Sequence, residues 1–168
     1  GKQIVGYHIT FGMCGETARW GAWSDNPEHW GDFSGVNAEA FYEYCIRKYG
    51  SKENAEAAFG IAPLTYDNIL PSTSERYVST QDLAVYFRDG EERTISYSKY
   101  LSEQVAENIC HFAKVAKSIV DKPVGFFYGY LTSLFPSEIG HLCIQKLIDS
   151  PYVDFLAAPN TYYRGGAG

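Results

Sequence analysis

The 168-residue chain contains no cluster of Lys or Arg longer than two, and its 14 basic residues are outnumbered by 20 acidic ones, for a formal charge of -6. Binding a phosphate backbone draws on a basic patch, so no nucleic-acid partner is expected. No apolar run approaches the ~20 residues of a membrane-spanning helix, and no signal-peptide pattern is present, so no membrane partner is expected either. The chain opens on Gly1 rather than Met, which leaves a removed leader or a preceding N-terminal region open. The four cysteines, Cys14, Cys45, Cys110 and Cys143, include no CxxC pair, and His29, His111 and His141 are scattered. Spacing therefore specifies no metal site, and free thiols in a reducing compartment, the cytoplasm, are the default. Cys45 and Cys110 fall on apolar helical faces and should be inert packing. No GxGxxG follows a strand and there is no P-loop, which argues against nucleotide-binding forms of an open sheet. No cofactor is expected.

What the sequence does have is enough apolar content, 45% of residues, to bury a sizeable core as one domain. Its 14 Tyr, 10 Phe and 3 Trp are numerous, and several lie in segments that read as loops. Such rings suit either the core or stacking against the flat apolar faces of sugars.

Three short apolar runs read as strands: Gln3 to Ile9, Val124 to Tyr130 and Val153 to Ala157. Between them lie helices. One is capped by Ser34 and stopped by Gly50, and a second runs from Ser51 to Gly60. A third spans Ser96 to Val120, and a fourth opens at Ser137 or Gly140 and closes at Asp149-Ser150-Pro151. Residues 12–34 and 61–93 read as long excursions, the latter with a helix near Thr80 to Phe87. Strands alternating with helical crossovers predict an α/β fold with parallel strands, either a piece of a (β/α)8 barrel or a small open sheet.

The organising stretch is GYHITFGMCGETARWG, residues 6–21. A strand runs into a glycine-punctuated turn that presents one carboxylate, Glu16, beside aromatic residues and a guanidinium. The carboxyl end of a strand is where such folds place chemistry, so Glu16 is the first candidate reacting group. On residue physics alone a lone loop Glu is also readable as a solvated side chain or a helix N-cap partner. Asp25, Glu28, Asp32 and Asp154 are further carboxylates, each readable as a structural charge.

With HWGDFSGVNAEAFYEYCIRKYGSKENAEAAFG and VDFLAAPNTYYRGGAG, this stretch resembles the middle of the catalytic barrel of clan A glycoside hydrolases, most closely family 42 beta-galactosidases and their relatives. The most specific feature spans Asp32 to Gly60, where a D-[FY]-S start leads through an aromatic-rich helix to R-K-Y-G-S and an A-x-x-G stop. The resemblance implies a single segment, residues 1–168, of a TIM barrel comprising about strands 4 to 6 with their helices. It also implies Glu16 as the general acid/base of a retaining enzyme acting on O-glycosidic bonds, and Asn160, Tyr162 and Arg164 lining the sugar pocket. Trp20, Trp23 and Tyr130 are expected to help shape the sugar subsites. His8 alternates with Tyr7, and reads either as a core histidine or as a donor to sugar hydroxyls. Tyr128 and Tyr130 likewise read as pocket-facing or as packing.

Two departures accompany the resemblance. Gly15 stands where much of the clan has an Asn that holds the sugar 2-hydroxyl. A full barrel needs ~250 residues, and no segment here corresponds to the first three strands or the last two, including the strand that bears the family's nucleophile. A carbohydrate substrate without turnover by the chain alone is therefore expected, with self-association or pairing with the missing barrel half. The alternative is a non-catalytic carbohydrate-binding or self-associating half-barrel module, because an open parallel sheet exposes two edges.

Overall fold

The computed structural model describes residues 3–12, 15–18, 31–76, 90–129 and 139–158. The chain divides into two compact units, one formed by residues 1–19 with 102–168 and the other by residues 20–101.

In the second unit, helix α1 (Gly35–Tyr49) starts where Ser34, in extended conformation, accepts the Asn37 N–H on its hydroxyl, and it stops at left-handed Gly50. The next helix, α2 (Lys52–Phe59), repeats the device with Ser51 and Gly60. Both helices are therefore bounded by residues that satisfy otherwise orphaned backbone groups. Phe41, Cys45, Ala55, Leu64 and Ile69 form the core together with Tyr97 and Tyr100, which belong to helix α3 (Glu92–Ile119). Phe41 meets Tyr97 edge to face at 5.0 Å.

A polar residue ties this core together. Asn37 donates from Nδ2 to the Tyr97 hydroxyl at 2.8 Å and to the Asp32 carbonyl at 2.7 Å, and its Oδ1 accepts from the Tyr100 hydroxyl at 3.2 Å. Removing it takes one hydrogen bond from each of two buried tyrosine hydroxyls, of which Tyr97 keeps the Asp32 carbonyl at 3.4 Å. Asn37→Ala should lower stability by about 1–3 kcal/mol, read from the midpoint of urea unfolding.

In the first unit, strands β1 (Tyr7–Ile9), β2 (Val124–Phe127) and β3 (Phe155–Ala157) form a parallel sheet in that order. Tyr7, His8 and Ile9 pair with Val124, Gly125 and Phe126, and the last two of these pair in turn with Phe155 and Leu156. Side chains alternate across a sheet, so Val124 and Phe126 point one way. They are buried with Val105, Ala106, Ile109 and Ala113 of α3 and with Leu147 of helix α4 (Ile144–Ile148). The other face carries His8, Phe127 and Phe155, with His8 lying 6.3 Å and 6.1 Å from the two phenyl rings, centroid to centroid. On that face the Phe155 ring lies directly over Gly125, where a Cβ would come within 2.4 Å of it.

The partial (β/α)8 barrel expected from the resemblance is corrected here to a small α/β arrangement with a three-stranded parallel sheet. Among the described residues, three strands of three or four residues have two outer members and no closure, and a barrel needs its strands to close on one another. The extended run Gln3 to Ile9 also proves largely exposed rather than buried, with Val5 86% exposed. An outer strand has one neighbour, and only one face of this sheet is packed by helices among the described residues. Helix α3 begins four residues before the predicted Ser96. Helix α4 is shorter than predicted: Leu147 is buried and Ile144 packs against the core, while Leu142 and Ile148 are exposed.

Candidate functional site

The loop after β1 folds back on itself at the carboxyl end of the sheet. The Thr17 N–H donates to the Phe11 carbonyl at 2.8 Å and the Gly15 N–H to the Gly12 carbonyl at 3.4 Å. Gly12 takes φ 78° and has no room for a side chain, since a Cβ there would lie 2.9 Å from the Ala18 carbonyl oxygen. Thr17 has φ 50°, the positive-φ position among the described non-glycine residues. A β-branched residue reaches that region only when its surroundings hold it. Here the holding contact is its hydroxyl, which donates to the carbonyl of Phe127 at the end of β2. Glu16, half-buried, sits between left-handed Gly15 and left-handed Thr17, so the backbone on both sides of the carboxylate is fixed. Thr17→Val keeps the shape and removes that donor. It should cost about 1–3 kcal/mol, measurable by urea unfolding.

The second strand continues this end of the sheet. Tyr128, buried just past β2, donates its N–H to the Ala157 carbonyl at 2.8 Å and accepts the Cys143 N–H on its hydroxyl at 2.9 Å. Burial pushes its phenol pKa up. Its ring stacks on His141 at 4.0 Å between centroids. His141 is fully enclosed, and its Nδ1 accepts the Gly129 N–H at 3.3 Å. Burial lowers its pKa to about 4, and a hydrogen bond with the Thr17 backbone opposes that shift. The ring is therefore neutral at ordinary pH. His141 thus holds the backbone of the segment that leaves the carboxyl end of β2.

Of the residues singled out in the sequence, Glu16 lies at this end of the sheet. His8 is exposed in the middle of β1, on the sheet face away from α3. Tyr128 takes its packing role. Trp20, Trp23, Tyr130, Asn160, Tyr162 and Arg164 lie outside the described residues, as do Asp25 and Glu28.

Asp154 is ruled out as a partner of Glu16 by position. It accepts the Val124 N–H at 2.7 Å and pairs with Lys117 at 2.5 Å, which puts it at the amino end of β2. Asp32 serves the start of α1, accepting the Ser34 N–H at 2.7 Å. Among the described residues no group of three His, Cys, Asp or Glu could hold a metal ion. Cys45, Cys110 and Cys143 are free thiols, and burial pushes the Cys45 thiol up to about 12, as inert packing requires.

Sequence reasoning missed His141 and Thr17. No spacing marks either one. The available signal was positional, since each sits on a loop that follows an apolar strand.

No protein-family model and no curated protein matches the chain.

Proposed function

We propose that this chain carries the proton-donating half of a retaining glycoside-hydrolase site of beta-galactosidase type, acting on O-glycosidic bonds of a carbohydrate, with Glu16 as general acid/base. The observation that supports this reading is a half-buried carboxylate at the carboxyl end of a parallel strand, on a loop pinned by Thr17 to the neighbouring strand. Such fixed placement is what proton transfer to a leaving oxygen requires. A retaining mechanism needs a second carboxyl ~5–5.5 Å away to attack the anomeric carbon. Among the described candidates, Asp154 lies at the other end of the sheet and Asp32 holds the Ser34 N–H at the start of α1. The chain alone should therefore bind a β-galactoside without hydrolysing it.

The test is a titration of the isotopically labelled chain with an alkyl β-galactoside. Amide resonances of Gly15 to Ala18 should shift while no alcohol is released. Azide would supply an external nucleophile, forming a C–N bond at the anomeric carbon as the C–O bond breaks and Glu16 protonates the leaving oxygen. Azide-dependent release should fall by about 10²-fold or more in Glu16→Gln. Unmoved loop resonances would overturn the reading. Turnover without azide, lost in Glu16→Gln, would overturn the incompleteness of the site.

The second reading is a carbohydrate-binding or self-associating module without turnover. It is favoured by β1, an outer strand among the described residues, whose approach carries exposed Ile4, Val5 and Tyr7, as a pairing edge would. Sedimentation should then show association that rises with concentration and that Val5→Lys weakens. A concentration-independent monomer would count against it, and sugar binding unchanged by Glu16→Gln would favour it.

A further inference from the structure

We propose that Thr17 is the positioning residue of Glu16: its hydroxyl takes the place of the next rung of the β1–β2 ladder and so sets the reacting carboxyl in register with the end of β2. This deepens the reading of Glu16 as general acid/base and rests on it. The argument is one of register. Tyr7 pairs with Val124 and donates its N–H to the Pro123 carbonyl at 2.8 Å. In a parallel ladder that pattern repeats every second residue, so a β1 that ran straight on would bring the Phe11 N–H to the Phe127 carbonyl and the Phe11 carbonyl to the Gly129 N–H. β1 ends instead at Ile9.

Each of these open backbone groups on Phe127, Phe11 and Gly129 has a substitute partner, as buried backbone groups require. The Phe127 carbonyl accepts the Thr17 hydroxyl. The Phe11 carbonyl accepts the Thr17 N–H at 2.8 Å, and the Gly129 N–H goes to His141 Nδ1 at 3.3 Å. One residue thus serves both strands, with its side chain on β2 and its main chain on the exit of β1. A left-handed β-branched residue persists only where its surroundings over-determine it, and two hydrogen bonds to two strands do so at φ 50°. Thr17 is fully buried and Glu16 half-buried, so the carboxylate stands one residue from an anchor fixed to the sheet. A residue placed only to fill space would need neither donor.

The experiment uses the full chain, and its first readout needs no sugar. In the unmodified protein the Thr17 amide should exchange as slowly as those of Ile9 and Phe127, as a ladder rung does. Exchange at the rate of an open loop would overturn the proposal whether or not any variant folds. In Thr17→Val the amide at this position should exchange about tenfold faster, the equivalent of one lost hydrogen bond, and the Glu16 carboxyl carbon should change its chemical shift. Thr17→Ser, which keeps the donor, should restore both. Thr17→Gly removes the donor and relieves the left-handed backbone, and its exchange should quicken as in Thr17→Val. Unchanged exchange in Thr17→Gly would mean that backbone conformation alone sets the turn, and Ser no better than Val would mean packing. Either result overturns the proposal.

With a β-galactoside and azide, Thr17→Val should lower kcat for alcohol release about tenfold or more with KM unchanged, because a displaced acid slows the chemical step rather than binding. Thr17→Ser should recover it. A change in KM alone would overturn the positioning role. Failure of the Glu16 reading would instead appear as no azide-dependent release from any form of the chain, with the exchange results intact.

Discussion

Lowering the pH from neutral to about 4 should remove about 3 kcal/mol of stability from the unit that holds the parallel sheet, with His141 as the cause. Burial lowers this imidazole's pKa from 6.5 to about 4. The unfolded chain takes up a proton there as pH falls through 6.5, whereas the folded chain resists until about 4. Across that window the unfolded state binds more protons, so stability is complete above it and declines as pH falls. A gap of that size corresponds to about 3 kcal/mol, a large share of the ~5–15 kcal/mol that holds a typical domain together.

The groups packed on the ring do not offset this. Tyr128 stays neutral because burial raises its phenol pKa, and the Gly129 contact is an N–H that a protonated Nδ1 would repel. Carboxylates act in a lower window. The Asp154 pKa is lowered by Lys117 and by the Val124 N–H, and the Glu92 pKa chiefly by the Tyr49 hydroxyl. Their contribution is present above the ordinary carboxylate range and is lost as pH falls through their depressed values. Urea midpoints measured down the pH scale separate the two. His141→Asn should flatten the decline between 6.5 and about 4 and leave the acid limb below it. An unchanged slope in that variant would assign the decline elsewhere.

The outcome shows which links of the fold were legible in the sequence. Ser34, Gly50, Ser51 and Gly60 state their helix ends locally, because a cap is a contact between residues three or four apart. The three apolar runs likewise announced parallel strands. What could not be read was which face of each strand would be covered. Gln3 to Ile9 and Val124 to Tyr130 both read as apolar strands, yet β1 is an outer strand and β2 a central one among the described strands, and pairing order is a property of neither segment alone. The barrel expectation failed for the same reason, since closure is a property of all the strands together.

At the candidate site, Glu16 was legible from its glycine-punctuated turn. His141 was not, because the groups that hold it, the Gly129 N–H and the Tyr128 ring, belong to the segment that leaves β2 and no spacing links them to it. Asp154 had an ambiguous role until its hydrogen bond to Val124 placed it at the opposite end of the strands from Glu16.

Phe126→Ala should be the most damaging single truncation in the sheet, at about 3–5 kcal/mol. Its neighbour across the β2–β3 ladder, changed as Phe155→Ala, should cost about 1 kcal/mol. The two rings are nearly identical in chemistry and sit one register step apart, so the contrast isolates burial. Phe126 is fully enclosed, meets Phe11 edge to face at 6.5 Å and packs with Val105, Ile109 and Leu147. Truncation there leaves a cavity that a helix and a central strand cannot collapse to fill. Phe155 is 40% exposed and rests on Gly125, where the absence of a side chain makes its seat. Removing it uncovers backbone that water can reach.

Urea unfolding of both variants, at low and at high protein concentration, decides more than two numbers. If Phe155→Ala becomes as costly as Phe126→Ala only at high concentration, the face carrying His8, Phe127 and Phe155 is covered by another copy of the chain, which supports the self-associating reading. If the cost stays small at every concentration, that face remains open beside Glu16's end of the sheet, available to a sugar.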